Sequence, residues 1–259
     1  MRQALRRLTW WSDDCLEMSS RTDAGVSVRL NLARVDIPKP VSQNASEDRI
    51  VRALNDHLPV GAVVLSANRA PQESKVRFAD FRKYLFRLEA IEEWPHDADP
   101  GQLAEACSLV EGRHNFSNLS RVEDGRDPVR NVDECTPWLA SDGRPIGFTI
   151  KARSFVWNQV RRIASSFSGI ASGRIEISDL ENALNNPHVG VDLGMANSEG
   201  LLLWSISHPD FKSPLPDKLP PESNFSRRPE DPREYRRWMS MSGYEMSSLL
   251  ESEWLARLN

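Results

Sequence analysis

The amino-acid sequence predicts an α+β fold, a mostly antiparallel sheet with helices against one of its faces. Stretches of alternating apolar and polar residues recur, as where Val26, Val28, Leu30 and Leu32 are set between Ser27, Arg29, Asn31 and Ala33. Other stretches carry helical spacing, such as Val156, Val160, Ile163, Ala164, Phe167 and Ile170. The rhythm of strands and helices occurs twice along the 259 residues, enough chain for one large domain or two fused halves with a cleft between them.

Taken in order, Arg2 to Leu8 reads as the end of a helix, because Leu5 and Leu8 are three apart with no breaker between them. A short extended piece around Cys15 to Met18 leads to Ser19–Gly25 and then to the alternating strand Val26–Leu32. Ser46 followed by Glu47, with apolar spacing at Ile50, Ala53, Leu54 and Leu58, predicts a capped helix that stops at Pro59. Ala62–Ser66 reads as a buried strand, and Lys83–Leu88 as another with Tyr84 near its start. In the second half a helix is expected over Gln102–Val110 and strands near Val129–Trp138 and over Ile146–Ala152. The helix beginning near Val156 follows, then one opened by a capping box of Ser178 and Glu181 and ended at Asn186-Pro187, then a strand over Leu201–Ile206. Between His208 and Pro232 stand seven of the chain's 17 prolines, which marks a linker. Pro232–Asn259 then reads as a helix whose Tyr235, Trp238, Met239, Met246, Leu249, Leu250 and Trp254 pack on the body or a partner. The expected division is therefore residues 1–95, 96–206 and a tail of 207–259.

Composition narrows the class. Hydrophobic residues at 39% and charged residues at 27% describe an ordinary folded chain rather than a fibrous or disordered one. Apolar runs such as Ala62–Leu65 and Leu201–Trp204 fall far short of the ~20 residues that a membrane helix needs. The first arginines run straight into Trp10-Trp11-Ser12-Asp13-Asp14, so a secretory leader is not expected. Cys15, Cys107 and Cys135 form neither a C-x-x-C pair nor a disulfide framework and read as small buried residues in a reducing, cytoplasmic setting. The net charge of −4 argues against a strongly basic nucleic-acid binder, yet Lys151–Arg174 holds five basic residues and no acid. That run is either a solvated helix surface or a phosphate-contacting face.

The loop Ser19–Gly25 is the most informative. Gly25 permits a tight turn, so Asp23 projects from the entry of a strand with Arg21 in the same turn. Taken alone, R-T-D-A-G reads as an Asx turn in which Asp23 bonds its own backbone. Tyr84 alone reads as an inward strand aromatic, and Arg161 as a solvated or phosphate-binding helix charge.

Seven segments, however, stand in one order. Ser20-Arg21-Thr22-Asp23-Ala24-Gly25-Val26-Ser27 resembles the signature G/S-R-T-D-A-G-V-H/S of the tRNA pseudouridine synthase A family. Leu54–Pro59 resembles its L-N-x-x-L-P, Arg82–Phe86 its R-x-Y-x-Y, and Glu111–Ser117 its E-G-x-H-D-F-S. Pro128-Val129-Arg130 matches P-x-R, Phe155–Ile163 resembles F-L-x-H-M-V-R-x-I, and Glu199-Gly200-Leu201 matches E-G-L. The likeness runs from about Leu5 to Ile206, with Phe86 in place of the second tyrosine and Ser165 near a glycine. The tail from Ser207 has no counterpart.

This resemblance implies the pseudouridine synthase fold, two ferredoxin-like halves flanking a cleft. It also implies an isomerase without cofactor or metal that detaches uracil from its ribose in tRNA, rotates it and rejoins it through carbon 5. Asp23 is then the nucleophile, forming a covalent adduct with the sugar or the base. Arg161 holds its charge, and Tyr84 stacks on the target base or moves a proton. Arg21 fills the gap left by the flipped nucleotide or holds its phosphate, and Lys151–Arg174 binds the tRNA backbone. The substrate implied is the anticodon stem-loop at about positions 38 to 40, whose uridine must leave the stack to be reached, shared by a homodimer. His114 and Phe116 read as structural, and Glu199 as one side of a salt bridge behind the cleft. The family's opening strand, Y-D-G-T-x-F-x-G-x-Q, has no counterpart here, so an exposed sheet edge is expected, covered by the tail or by another subunit. That expectation motivates an alternative, a catalytically inactive tRNA-binding protein. A metal-dependent hydrolase with an aspartate nucleophile is a weaker reading, since His57, His96, His114, His188 and His208 show no H-x-x-x-H spacing.

Overall fold

The computed structural model describes residues 1–258, other than the side chain of Ser223. Near the N-terminus, helix α1 (Arg2–Arg7) packs Leu5 against Cys15 and Leu54 in a small core of its own. Strands β1 (Leu16–Met18) and β3 (Ala33–Val35) pair antiparallel, and the chain between them passes through β2 (Ser27–Val28). After α2 (Lys39–Asn44) comes α3 (Glu47–Asn55), where the Ser46 hydroxyl accepts the Arg49 N–H at 3.4 Å. Glu47 and Asp48 in its first turn sit at the positive end of the helix dipole.

The main sheet adds β4 (Phe81–Arg87), β5 (Gly112–Asn115), β6 (Val129–Leu139), β7 (Pro145–Ala152) and β8 (Leu201–Ser207). Their order is β2-β8-β4-β7-β6-β5, antiparallel throughout except for the parallel pair β2 and β8. This is a mixed α+β architecture. Successive side chains of a strand face opposite sides, and here both sides are dry. Tyr84, Phe86, Phe148, Ile150 and Leu203 join one core with α4 (Pro100–Val110), α5 (Gln159–Ala171) and α6 (Ile177–Asn185). Leu85, Leu202 and Trp204 face the other way, onto Met246, Leu250 and Trp254 of α7 (Pro232–Leu255).

The structure corrects several expectations. Helices cover both sheet faces rather than one, because the C-terminal helix folds back onto the second face. That is why Arg29, expected to face solvent, is 3% exposed. It pairs with Glu253 and lies 3.9 Å from the centre of the Trp204 ring. Of Val26–Leu32, only Ser27 and Val28 pair as strand, while Leu30 and Leu32 are buried without joining the ladder. Ala62–Ser66 forms no strand, because the Asn55 side chain takes both the N–H (2.8 Å) and the C=O (3.0 Å) of Val64. The helix expected to open at Ser178 is capped two residues earlier, where the Asp179 carboxylate accepts the Glu176 N–H at 2.8 Å. All three cysteines are free and buried, and burial next to Cys107 pushes the Cys135 thiol well above its usual value.

Strand β2 stands at the end of the sheet. The tail meets it without adding a strand. Trp254 Nε1–H donates to Arg29 O at 3.1 Å, and Arg29 donates to Pro216 O at 3.0 Å. Beside it lies a cavity of about 1160 Å³, walled by residues 28–36 and by the irregular stretch 61–72. No described helix is long and apolar enough to cross a membrane.

Candidate active site

Asp23 sits where the loop between β1 and β2 turns back toward the sheet. The turn closes with the Val26 N–H on Asp23 O at 3.2 Å, and Gly25 takes φ +86°. A side chain there would be strained, and its Cβ would stand 2.4 Å from Ser198 Oγ, so the loop needs glycine on two counts. The stretch ahead of Asp23 is held from inside the protein. Arg82, buried at the start of β4, donates from Nε to Ser20 Oγ (2.8 Å) and from Nη2 to Ser19 O (2.8 Å) and Ser19 Oγ (3.0 Å). It also donates to Arg77 O (3.1 Å) and Arg153 O (2.5 Å). Asn31 clamps Ser20 through both its N–H (3.2 Å) and its C=O (2.9 Å). A mobile R-T-D turn becomes a fixed projection.

The Asp23 carboxylate meets two donors, one on each oxygen. Arg161 Nη1 reaches Oδ2 at 3.1 Å, and Trp157 Nε1 reaches Oδ1 at 3.0 Å. The Arg161 guanidinium is itself oriented, since its Nε donates to Ala196 O at 2.9 Å. The Asp23 side chain remains 31% exposed against 15% for Arg161, so the carboxylate is held yet still open to a ligand. The contact between Arg161 and Asp23 is a charge-assisted hydrogen bond, the stronger kind. Asn158, the N-cap of α5, takes a left-handed φ of 62°, and this turn delivers Trp157 and Arg161 to the same carboxylate.

Tyr84 lies in the same neighbourhood, 8% exposed and edge-to-face with Phe155 at 5.2 Å. Burial, opposed by Arg82 and reinforced by Asp23, pushes its phenol up to about 12. It stays neutral at any ordinary pH. Arg21 is exposed beside the turn. Of the four residues singled out from the sequence, the structure thus brings Asp23 and Arg161 into contact, sets Tyr84 within reach of the Asp23 charge, and leaves Arg21 outward.

Other expectations change. Of the five basic residues in Lys151–Arg174, Arg153 is exposed and the other four have partners within the protein. Arg161 serves Asp23, Arg162 pairs with Asp192 at 2.8 Å, Arg174 donates to Ser165 O at 3.2 Å, and Lys151 lies over the Phe81 ring. Glu199 is exposed and pairs with no cation among the described residues, so it closes no salt bridge. His114 bonds Glu111 O at 2.7 Å and packs on Phe116, the structural use expected of it.

Sequence reading missed Trp157, Arg82 and Asn31. Two of the three had a signal. Arg82 stands two residues before Tyr84 on one strand and so on the same side, while Trp157 is an exposed aromatic four residues before Arg161. Nothing marked Asn31, whose partner Ser20 is eleven residues away.

Comparison with known proteins completes the picture. A family model described as tRNA pseudouridine synthase matches residues 106–209, which hold β5 to β8 and Arg161. A tRNA pseudouridine synthase A from Thermococcus kodakarensis is 31% identical over 198 residues, 74% of this chain and 67% of that protein. One from Mesorhizobium japonicum is 30% identical over 210 residues, 75% of this chain and 82% of that protein. The chain belongs to the tRNA pseudouridine synthase A family, a family of isomerases. A relative named tRNA pseudouridine synthase A from Methanocorpusculum labreanum is 34% identical over 188 residues, 73% of this chain, and the match spans only 62% of that protein's length. Within this synthase family member, Trp157 and Arg161 fall inside the segment of the family model, whereas Asp23, Arg21 and Tyr84 lie outside it. The two parts of the site come from distant stretches of chain.

Proposed function

We propose that this chain isomerises uridine to pseudouridine in tRNA, with Asp23 as the nucleophile. The observation that carries the reading is a partly exposed carboxylate fixed between Trp157 and Arg161 on a loop locked by Arg82. Attack by Asp23 on the ribose or the base accompanies loss of the bond from the sugar to the base nitrogen. The uracil turns, its carbon 5 bonds to the sugar, the adduct with Asp23 is released, the proton of carbon 5 leaves to water, and the freed ring nitrogen takes up a proton in exchange. Atoms balance with no cofactor or metal. One hard displacement becomes easier steps.

Arg161 holds the Asp23 carboxylate in place. Tyr84, kept protonated by its burial, acts as an apolar platform with a hydroxyl for the flipped base, since its phenolate is out of range as a base near neutrality. Arg21, exposed on the same turn, meets the phosphate of the displaced nucleotide or fills its place in the stack. The same reading takes the anticodon stem-loop, at about positions 38 to 40, as the substrate. It also takes a homodimer as the working form and the cytoplasm as the location, in keeping with three buried free thiols. Residues 1–95 and 96–206 then correspond to two ferredoxin-like halves, with 207–259 as an added tail.

The test is tritium release from tRNA labelled at carbon 5 of uridine. The parent chain should release tritium, and Asp23→Asn should release none while melting within about 1 kcal/mol of the parent, as expected for a partly exposed ion pair. A parent that binds tRNA without release would leave the inactive binding protein as the answer.

A further inference from the structure

We propose that Trp157 is a positioning residue for Asp23, its indole N–H holding one carboxylate oxygen so that the other meets Arg161. This deepens the proposed reaction and rests on that reading of Asp23. Arg161 alone does not fix the Asp23 carboxylate. An arginine commonly grips a carboxylate with two parallel hydrogen bonds. Here Nε is already spent on Ala196 O at 2.9 Å, and Nη1 is shared between Asp23 Oδ2 (3.1 Å) and Asn158 Oδ1 (3.3 Å). Asp23 therefore receives one bond from its cation, and a carboxylate held at one oxygen turns about its own axis. The Trp157 Nε1–H on Oδ1, at 3.0 Å, stops that rotation.

Two further contacts fix the indole. The Arg121 N–H donates to Trp157 O at 2.8 Å, tying the two loops as an isolated bridge. The Arg121 guanidinium lies 4.3 Å from the centre of the Trp157 ring, a cation over an aromatic face. The left-handed Asn158 sets the direction of the turn that follows. The residue is nonetheless 41% exposed, which is more open than a core tryptophan has reason to be. A structural role leaves that exposure unexplained. A role in aiming the carboxylate toward an open cleft accounts for it, since the site must stay open on the side from which RNA arrives. Splitting the two oxygens between an uncharged donor and a cation also leaves the carboxylate less damped than a double grip by arginine.

Trp157→Phe separates the possibilities. It keeps a ring under Arg121 and removes only the N–H, and an exposed position predicts an unchanged melting temperature. With the full chain and labelled tRNA, kcat should fall at least about tenfold, the worth of a hydrogen bond to a charged group. KM and tRNA affinity should stay within about twofold, because the proposed bond serves chemistry and not binding. A variant with parental kcat, or one whose loss lies wholly in KM, overturns the proposal. A second measurement needs no turnover. The indole N–H resonance of Trp157 in the parent should shift and exchange faster with solvent in Asp23→Ala, and an unmoved resonance overturns the proposal on its own. If the parent releases no tritium while that resonance responds to Asp23→Ala, the isomerase reading fails and the positioning of the carboxylate stands.

Discussion

Arg82 and Arg87 stand five residues apart on β4, buried to 7% and 2% exposure, and they use their charge in opposite ways. Every partner of Arg82 is a neutral oxygen: the Ser19 carbonyl and hydroxyl, the Ser20 hydroxyl, and the carbonyls of Arg77 and Arg153. Arg87 meets carboxylates, Glu89 at 3.0 Å and Glu245 at 3.1 Å, and Arg144 pairs with the same Glu89. Phe225 and Trp238 cover its guanidinium. At Arg87 the charge is cancelled and the tail is clamped to the sheet, an arrangement that is saturated and structural. At Arg82 the loop is held without cancelling the cation, and burial pulls its pKa down only against the neighbouring Tyr84. Its five hydrogen bonds go instead to the stretch just ahead of Asp23 and to the carbonyls of Arg77 and Arg153. The strand thus keeps ion pairs that clamp the tail on one side and, on the other, a cation that holds the Ser19–Ser20 stretch ahead of Asp23.

The strongest way to break this comparison is Glu89→Ala. It leaves Arg87 and Arg144 buried against a missing partner, so the chain should lose about 3–5 kcal/mol of stability in urea unfolding. Tritium release per folded molecule should be unchanged, and a parallel loss of activity would show that the tail side does reach the site. Next in size, Arg82→Ala strips its neutral partners and should cost about 2–3 kcal/mol. Its larger consequence is kinetic: a loop displaced by even ~1 Å should lower kcat about a hundredfold. If kcat followed the Glu89→Ala pattern instead, Arg82 would be mere scaffolding.

The smallest effect is a titration. Tyr84, beside Arg82, and Tyr235, beside Arg228, are both pushed up to about 12, chiefly by burial. The sign follows from the direction. A phenol that holds its proton to higher pH in the folded chain than in the unfolded one adds stability that is whole below pH 10.0, the ordinary value, and fades as pH climbs through about 12. Ultraviolet titration should therefore show two of the three tyrosines ionising late, and activity between neutrality and pH 10.0 should carry no tyrosine step.

Much of this was readable beforehand. The turn at Gly25 and Asp23 announced itself because glycine adopts a positive-φ turn without strain. The helix over α5 announced itself because apolar residues at helical spacing have one face to bury. Local pairings of that kind leave a trace in neighbouring letters. The strand expected over Ala62–Ser66 shows the limit, since four apolar residues fit a strand, yet a single asparagine nine residues away took the backbone groups a ladder would have used.

The mixed α+β class was legible in the letters alone, because period, capping and turn chemistry act over a few residues. Which candidate residues meet was settled by the packing of whole elements. It folded the tail onto the second sheet face and so buried Arg29. It also brought Trp157 and Arg161 to Asp23 across more than a hundred and thirty residues. Contacts of that span depend on how whole elements pack, and side-chain alternation along one strand carries no record of what will cover its far side.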